Sequence, residues 1–129
     1  MPRRTTQLGT FRDPGTAVFE HAAVLLASAQ ALEAATRAPG AETALGPLLA
    51  CLDLAFDALA QAVEQVRGDS IEPVARSVTD REIRSASAEA VQRFGALVAL
   101  LADCRDACVL ARSSVAPIQG ELTARWPAD

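Results

Sequence analysis

Two cysteines four residues apart, Cys104 and Cys108, are the pair in this sequence best placed for chemistry. On a helix, residues spaced i, i+4 share a face, with Cβ atoms about 6 Å apart. Their side chains then run parallel, the wrong geometry for closing a disulfide. Two thiolates on one face can instead grip a soft ion such as Cu(I) or Zn(II). Cys51 and His21 are the conceivable third and fourth ligands.

Little else in the chain has the parts of a reactive site. His21 is the only histidine, and Glu20 beside it points about 100° away around a helix, so the two do not form a dyad. No Glu-x-x-His sequence occurs, which removes a di-iron bundle. Asp53 and Asp57 share a helical face and could hold a cation, but the expectation is that they lie opposite the apolar stripe of their helix, in water. Phosphate-binding glycine loops, nucleophile elbows and zinc-finger spacings are all missing. The sequence therefore predicts no enzyme.

The Cys-x-x-x-Cys spacing is similar in outline to that of the cysteine-lined helical bundles of bacterial copper-storage proteins. This resemblance spans five residues, Cys104 to Cys108, and implies thiolate binding of Cu(I) within a bundle. Those proteins line the bundle with many cysteines, whereas this chain has three. The competing reading is packing: both cysteines occupy stripe positions where a small apolar side chain suffices and a free thiol serves well. That reading needs both thiols to turn inward. Three cysteines without a secretion signal also fail to make a disulfide framework.

The elements that must position these residues are helices. Asp13-Pro14 is a start signal, the carboxylate capping first-turn amides and proline favouring the first helical position. A helix over about residues 14–38, stopped by Pro39-Gly40, carries the stripe Val18, Ala22, Leu25, Ala29, Leu32. A second helix begins between Thr43 and Pro47 and ends at Arg67-Gly68. Its stripe is Leu45, Leu49, Leu52, Phe56, Leu59, Val63, Val66, a coiled-coil alternation of fours and threes. Residues 69–78 read as a connection of about ten residues holding at most a short helical turn. Thr79 and Glu82 have the spacing of a capping box, with Val78 and Ile83 as its staple. From there the third stripe runs Ile83, Ser87, Ala90, Phe94, Leu97, Leu101, Cys104, Cys108, Ala111, Val115. Such a helix would be about 50 Å long, so it either overhangs its neighbours or bends near Gly95. Ile118, Leu122 and Trp126 follow Pro117 as a short C-terminal element.

Composition agrees. The chain has 28 alanines, the strongest helix former, and no tyrosine, with 4% aromatic residues overall. All 12 basic residues are arginine, as expected of a high-GC bacterial genome, and the net charge is −4. No segment is strongly basic, which argues against nucleic acid. Charges at Asp13, Glu20 and His21 interrupt the apolar stretch after Arg3-Arg4, so a twin-arginine signal is not expected. The longest uninterrupted apolar run, Ala96 to Ala102, is far short of a membrane span. A cytoplasmic protein without membrane contact is the expectation.

The sequence thus predicts an all-α, antiparallel bundle of three long helices and a short C-terminal helical element. Residues 1–12 form a polar lead-in and 13–129 a single domain. Leu54, Leu100, Leu110 and Trp126 fall off the stripes and predict a second apolar surface. The leading functional expectation is a non-catalytic interaction protein without a cofactor, forming a homodimer or binding a helical partner through the outer positions of the second and third helices. The alternative is a thiolate site for Cu(I) or Zn(II) built on Cys104 and Cys108 with Cys51 or His21.

Overall fold

The computed structural model describes residues 13–125; the polar lead-in and Trp126 lie outside the described residues. The fold is all-α, with three long helices, a short C-terminal helical piece and no strand among the described residues. The chain divides into two compact units, Met1–Ala41 and Glu42–Asp129.

The first unit contains α1, Pro14–Ala35. Asp13 caps it as the sequence predicts: its Oδ1 accepts the Thr16 amide at 3.0 Å and its Oδ2 the Thr16 hydroxyl at 2.6 Å. The hydroxyl bond, then the amide bond, hold the Asp13 carboxyl below its ordinary pKa. The helix ends three residues earlier than expected. Proline disfavours helical backbone at the residue before it, and the chain tightens ahead of Pro39 into i→i−3 bonds from Arg37 and Ala38. Gly40 then takes the left-handed backbone, φ 88°, that a side chain resists.

The second unit is a long helical hairpin. After a 3₁₀ turn, Ala41–Ala44, come α2 (Leu45–Val66), a π-helical turn (Arg67–Ile71) and α3 (Glu72–Ser77). Residues 69–77 are therefore helical rather than a loop, and helix continues from Ala41 to Ser77. Proline inside a helix clashes with the carbonyl four residues back. The π turn widens the backbone just before Pro73, with the Glu72 amide reaching the Arg67 carbonyl five residues back. Arg67 clamps the turn from both sides, its guanidinium paired with Glu64 before it and Glu72 after it.

The chain breaks only at residues 78–80 before α4, Arg81–Val115. Here the cap is Asp80, one residue later than expected: its Oδ1 accepts the Ile83 amide at 3.0 Å. Aspartate is the better cap of the two candidates, and the shift places Glu82 in the first turn and removes the staple from Val78 and Ile83. α4 runs uninterrupted through Gly95. It packs antiparallel to α2 and continues onto the π turn and α3, so the expected overhang is absent: the supposed loop supplies the missing helical length. A 3₁₀ turn, Ala116–Ile118, leads to α5, Gln119–Arg125. Gln119 ties this piece back to the start of the hairpin, donating from Nε2 to the Glu42 and Thr43 carbonyls at 3.5 and 3.4 Å.

Candidate interaction face of the hairpin

Ion pairs fix how α2 and α4 face each other. Arg105 Nη1 donates to Asp57 Oδ1 at 2.9 Å, and Arg112 Nη1 lies 3.7 Å from Asp53 Oδ2. Arg105 also reaches Asp106 on its own helix at 3.2 Å, and the hydrogen bonds to Asp57 and Asp106 raise its already high pKa. Asp53 and Asp57 thus face α4, correcting the expectation of a solvated face opposite the packing stripe. Ala60 and Cys108 are the two buried residues among those described, and both lie on this contact.

The contact line differs from the apolar stripes in the sequence. On α2 it passes through Leu49, Asp53, Phe56, Ala60, Val63 and Arg67, all buried or half-buried, whereas Val66 of the expected stripe is exposed. On α4 it passes through Val91, Phe94, Val98, Leu101, Arg105 and Cys108, whereas Ile83, Leu97 and Cys104 are exposed. At about 100° per residue, both contact lines sit roughly 60° from their stripes in the same sequence sense. Because the helices are antiparallel, that shared offset swings both stripes to one side of the hairpin.

The two sides are chemically unlike. One is apolar: on α2 the row Leu48, Leu52, Ala55, Leu59, Ala62, Val66 carries no charge, and on α4 Ala90, Leu97 and Cys104 stand beside it. Between Ala90 and Leu97 this side carries Arg93, which is paired along α4 with Glu89 at 2.7 Å. At the α3 end this side continues as a shallow cleft lined by Ile71, Val74, Ile83, Ala86 and Ala90. The opposite side is a trench lined by Asp57, Ala60, Gln61, Glu64, Gln65, Val98, Ala102 and Arg105, where charged and amide side chains stand over an apolar floor. There Gln61 donates to Asp57 at 2.9 Å, and the hydrogen bond from Arg67 holds the Glu64 carboxyl below its ordinary pKa.

The expected interface residues divide between these sides. Leu54 and Leu110 are 71% and 70% exposed. The Asp53–Arg112 and Asp57–Arg105 pairs set them at one height, and their helical positions place both toward the trench side. Leu100, exposed on the back of α4, leans the other way. Reasoning from off-stripe leucines missed the larger apolar side, because the stripes themselves were assigned to the interior.

The thiols do not converge. Cys108 is buried, while Cys104 and Cys51 are exposed, so the expectation that both stripe cysteines turn inward fails at Cys104. The reason is the same 60° offset, which carries Cys104 out of the contact and leaves Cys108 on it. Cys51 lies on the back of α2, and His21 is exposed in the first unit. Among the described residues, no three of His, Cys, Asp or Glu are grouped to hold a metal ion.

The helical run Ala41–Ser77 is long and apolar enough, by length and composition, to cross a membrane, with a mean hydropathy of 1.5 in its most apolar window. Counting uninterrupted apolar runs in the sequence overlooks it. Asp53 and Asp57, paired to α4, oppose insertion.

No family model matches this chain, and no curated protein or solved structure proves similar to it.

Proposed function

We propose that this protein is a non-catalytic helical interaction module that self-associates through apolar surface of α2 and α4. One observation carries the reading. The long hairpin buries only Ala60 and Cys108 among its described residues, while Val66, Val74, Ile83, Leu97 and Leu100 stay exposed. Monomeric soluble proteins rarely leave a contiguous apolar surface of that extent uncovered, and helices carrying coiled-coil stripes are stabilised mainly by packing of those stripes. The ion pairs between α2 and α4 orient the hairpin without supplying a core, since exposed pairs contribute little.

Sedimentation equilibrium from low to tens of micromolar tests the proposal. A reversible rise in mass toward the dimer is the expected result. A clean monomer across that range overturns it.

A further inference from the structure

We infer that the occupant of the apolar side is the same side of a second copy, the two hairpins closing face to face into a four-helix core. This rests on the self-association proposed above and adds which surface is used and by what.

Size comes first. The 35-residue α4 is about 50 Å long, and two adjacent helices are about 20 Å wide. The apolar side itself runs from Leu48 to Val74, about 39 Å at ~1.5 Å per residue, so it offers roughly 800 Å² per copy, on the order of one partner's share of a standard stable interface. Charge is the second argument. The α2 row Leu48, Leu52, Ala55, Leu59, Ala62, Val66 holds no ionisable group, and on α4 Arg93 already has Glu89 as its partner, so the face brings no unpaired charge against its own copy. Self-complementarity of this kind is what a two-fold interface requires. The trench side, with Asp57, Glu64, Arg105 and Asp106, lacks it.

The three cysteines are built-in reporters. Cys104 stands on the apolar side and Cys51 on the back of α2. Thiol labelling of the full chain, resolved by residue, is followed from low to tens of micromolar protein. Labelling at Cys104 slows in step with dimer formation, at least about tenfold at saturation, while labelling at Cys51 stays fast throughout. Leu97→Glu places a charge in the centre of the face; Leu97 is already 41% exposed, so the variant keeps its helical circular dichroism. Its dimer dissociation constant rises at least about a hundredfold, because an unpaired charge would be buried. Leu54→Glu and Leu110→Glu leave the dimer intact.

The outcomes separate the two proposals. A dimer that survives Leu97→Glu but is lost in Leu54→Glu overturns this inference and leaves self-association standing, as does Cys104 labelling that ignores concentration in a dimer. A monomer at every concentration overturns both. Flotation of the monomer with phosphatidylcholine vesicles, abolished by Leu97→Glu, assigns the face to lipid and also overturns the inference.

Discussion

The two sides of the α2–α4 hairpin come from the same pair of helices and differ in almost everything else. One side is a strip of leucine, alanine and valine with Cys104 on it; the other is a trench of carboxylates, glutamines and Arg105. Between them runs a contact that joins apolar side chains, Leu49, Phe56 and Val63 of α2 with Val91, Phe94 and Leu101 of α4, to the buried Ala60 and the Asp57–Arg105 pair. A helix buries its most apolar face where the most apolar partner is available. A hairpin that buries one edge of each stripe and turns the other edge, with Val66, Leu97 and Cys104, sideways leaves an association site facing outward.

The largest effect should separate the two sides directly. Leu59→Glu, half-buried at the margin of the apolar strip, is expected to abolish association at tens of micromolar. Ala58→Glu, one residue away and exposed toward the Leu54 side, should leave association within error of the parent. Analytical ultracentrifugation of the pair reads both at once. Equal effects would erase the distinction between the sides.

Next in size is the contact that divides them. Ala60 is buried where α2 meets α4, and Ala60→Leu is expected to cost about 1–3 kcal/mol by overpacking. Urea unfolding monitored by circular dichroism measures it. A neutral result would mean that the helices do not meet at Ala60 in solution.

A third variant weakens α4 without touching either side. Asp80→Ala removes the side-chain acceptor of the Ile83 amide and should lower stability by about 1 kcal/mol. Thr79→Ala should do little. The same urea experiment distinguishes them, and the pattern of thiol protection at Cys104 and Cys51 should be unchanged in both.

These positions also show what the sequence could and could not disclose. The periodicity in α2 and α4 is enough to name the helices, and Asp13-Pro14 and Pro39-Gly40 bracket α1 closely. Sequence could not reveal that residues 69–77 stay helical, because Gly68 and Pro73 are ordinary breakers and the π turn that reconciles them involves Arg67 bridging Glu64 and Glu72. The rotation of the stripes was hidden for a related reason. A heptad pattern says which side chains want dry contacts but not whether a neighbour in the same chain supplies them. Asp53, Asp57, Arg105 and Arg112 hold the answer, and a pairing 48 residues apart, Asp57 with Arg105, has no local signature. Cys104 and Cys108 share a stripe, so a sequence reading places both inside; the structure separates them by one being on the contact and the other beyond it.

The smallest effect belongs to the trench side and depends on pH. Glu64 is held below its ordinary pKa of 4.5 by the Arg67 hydrogen bond. A carboxyl whose folded pKa is depressed favours the folded state above its ordinary pKa, and that contribution disappears as the pH falls through the folded value. Glu64 is exposed, so salt and water screen the pair and the effect is close to the error of a melt. Comparing parent and Glu64→Gln should therefore show a slight stability difference at neutral pH that closes below about pH 4 and shrinks in high salt. The dimer constant should not follow it, because the apolar strip on α2 contains nothing that titrates. If acid or salt dissociated the dimer in parallel with the loss of the Glu64–Arg67 pair, the charged side, not the apolar one, would be the surface that holds two copies together.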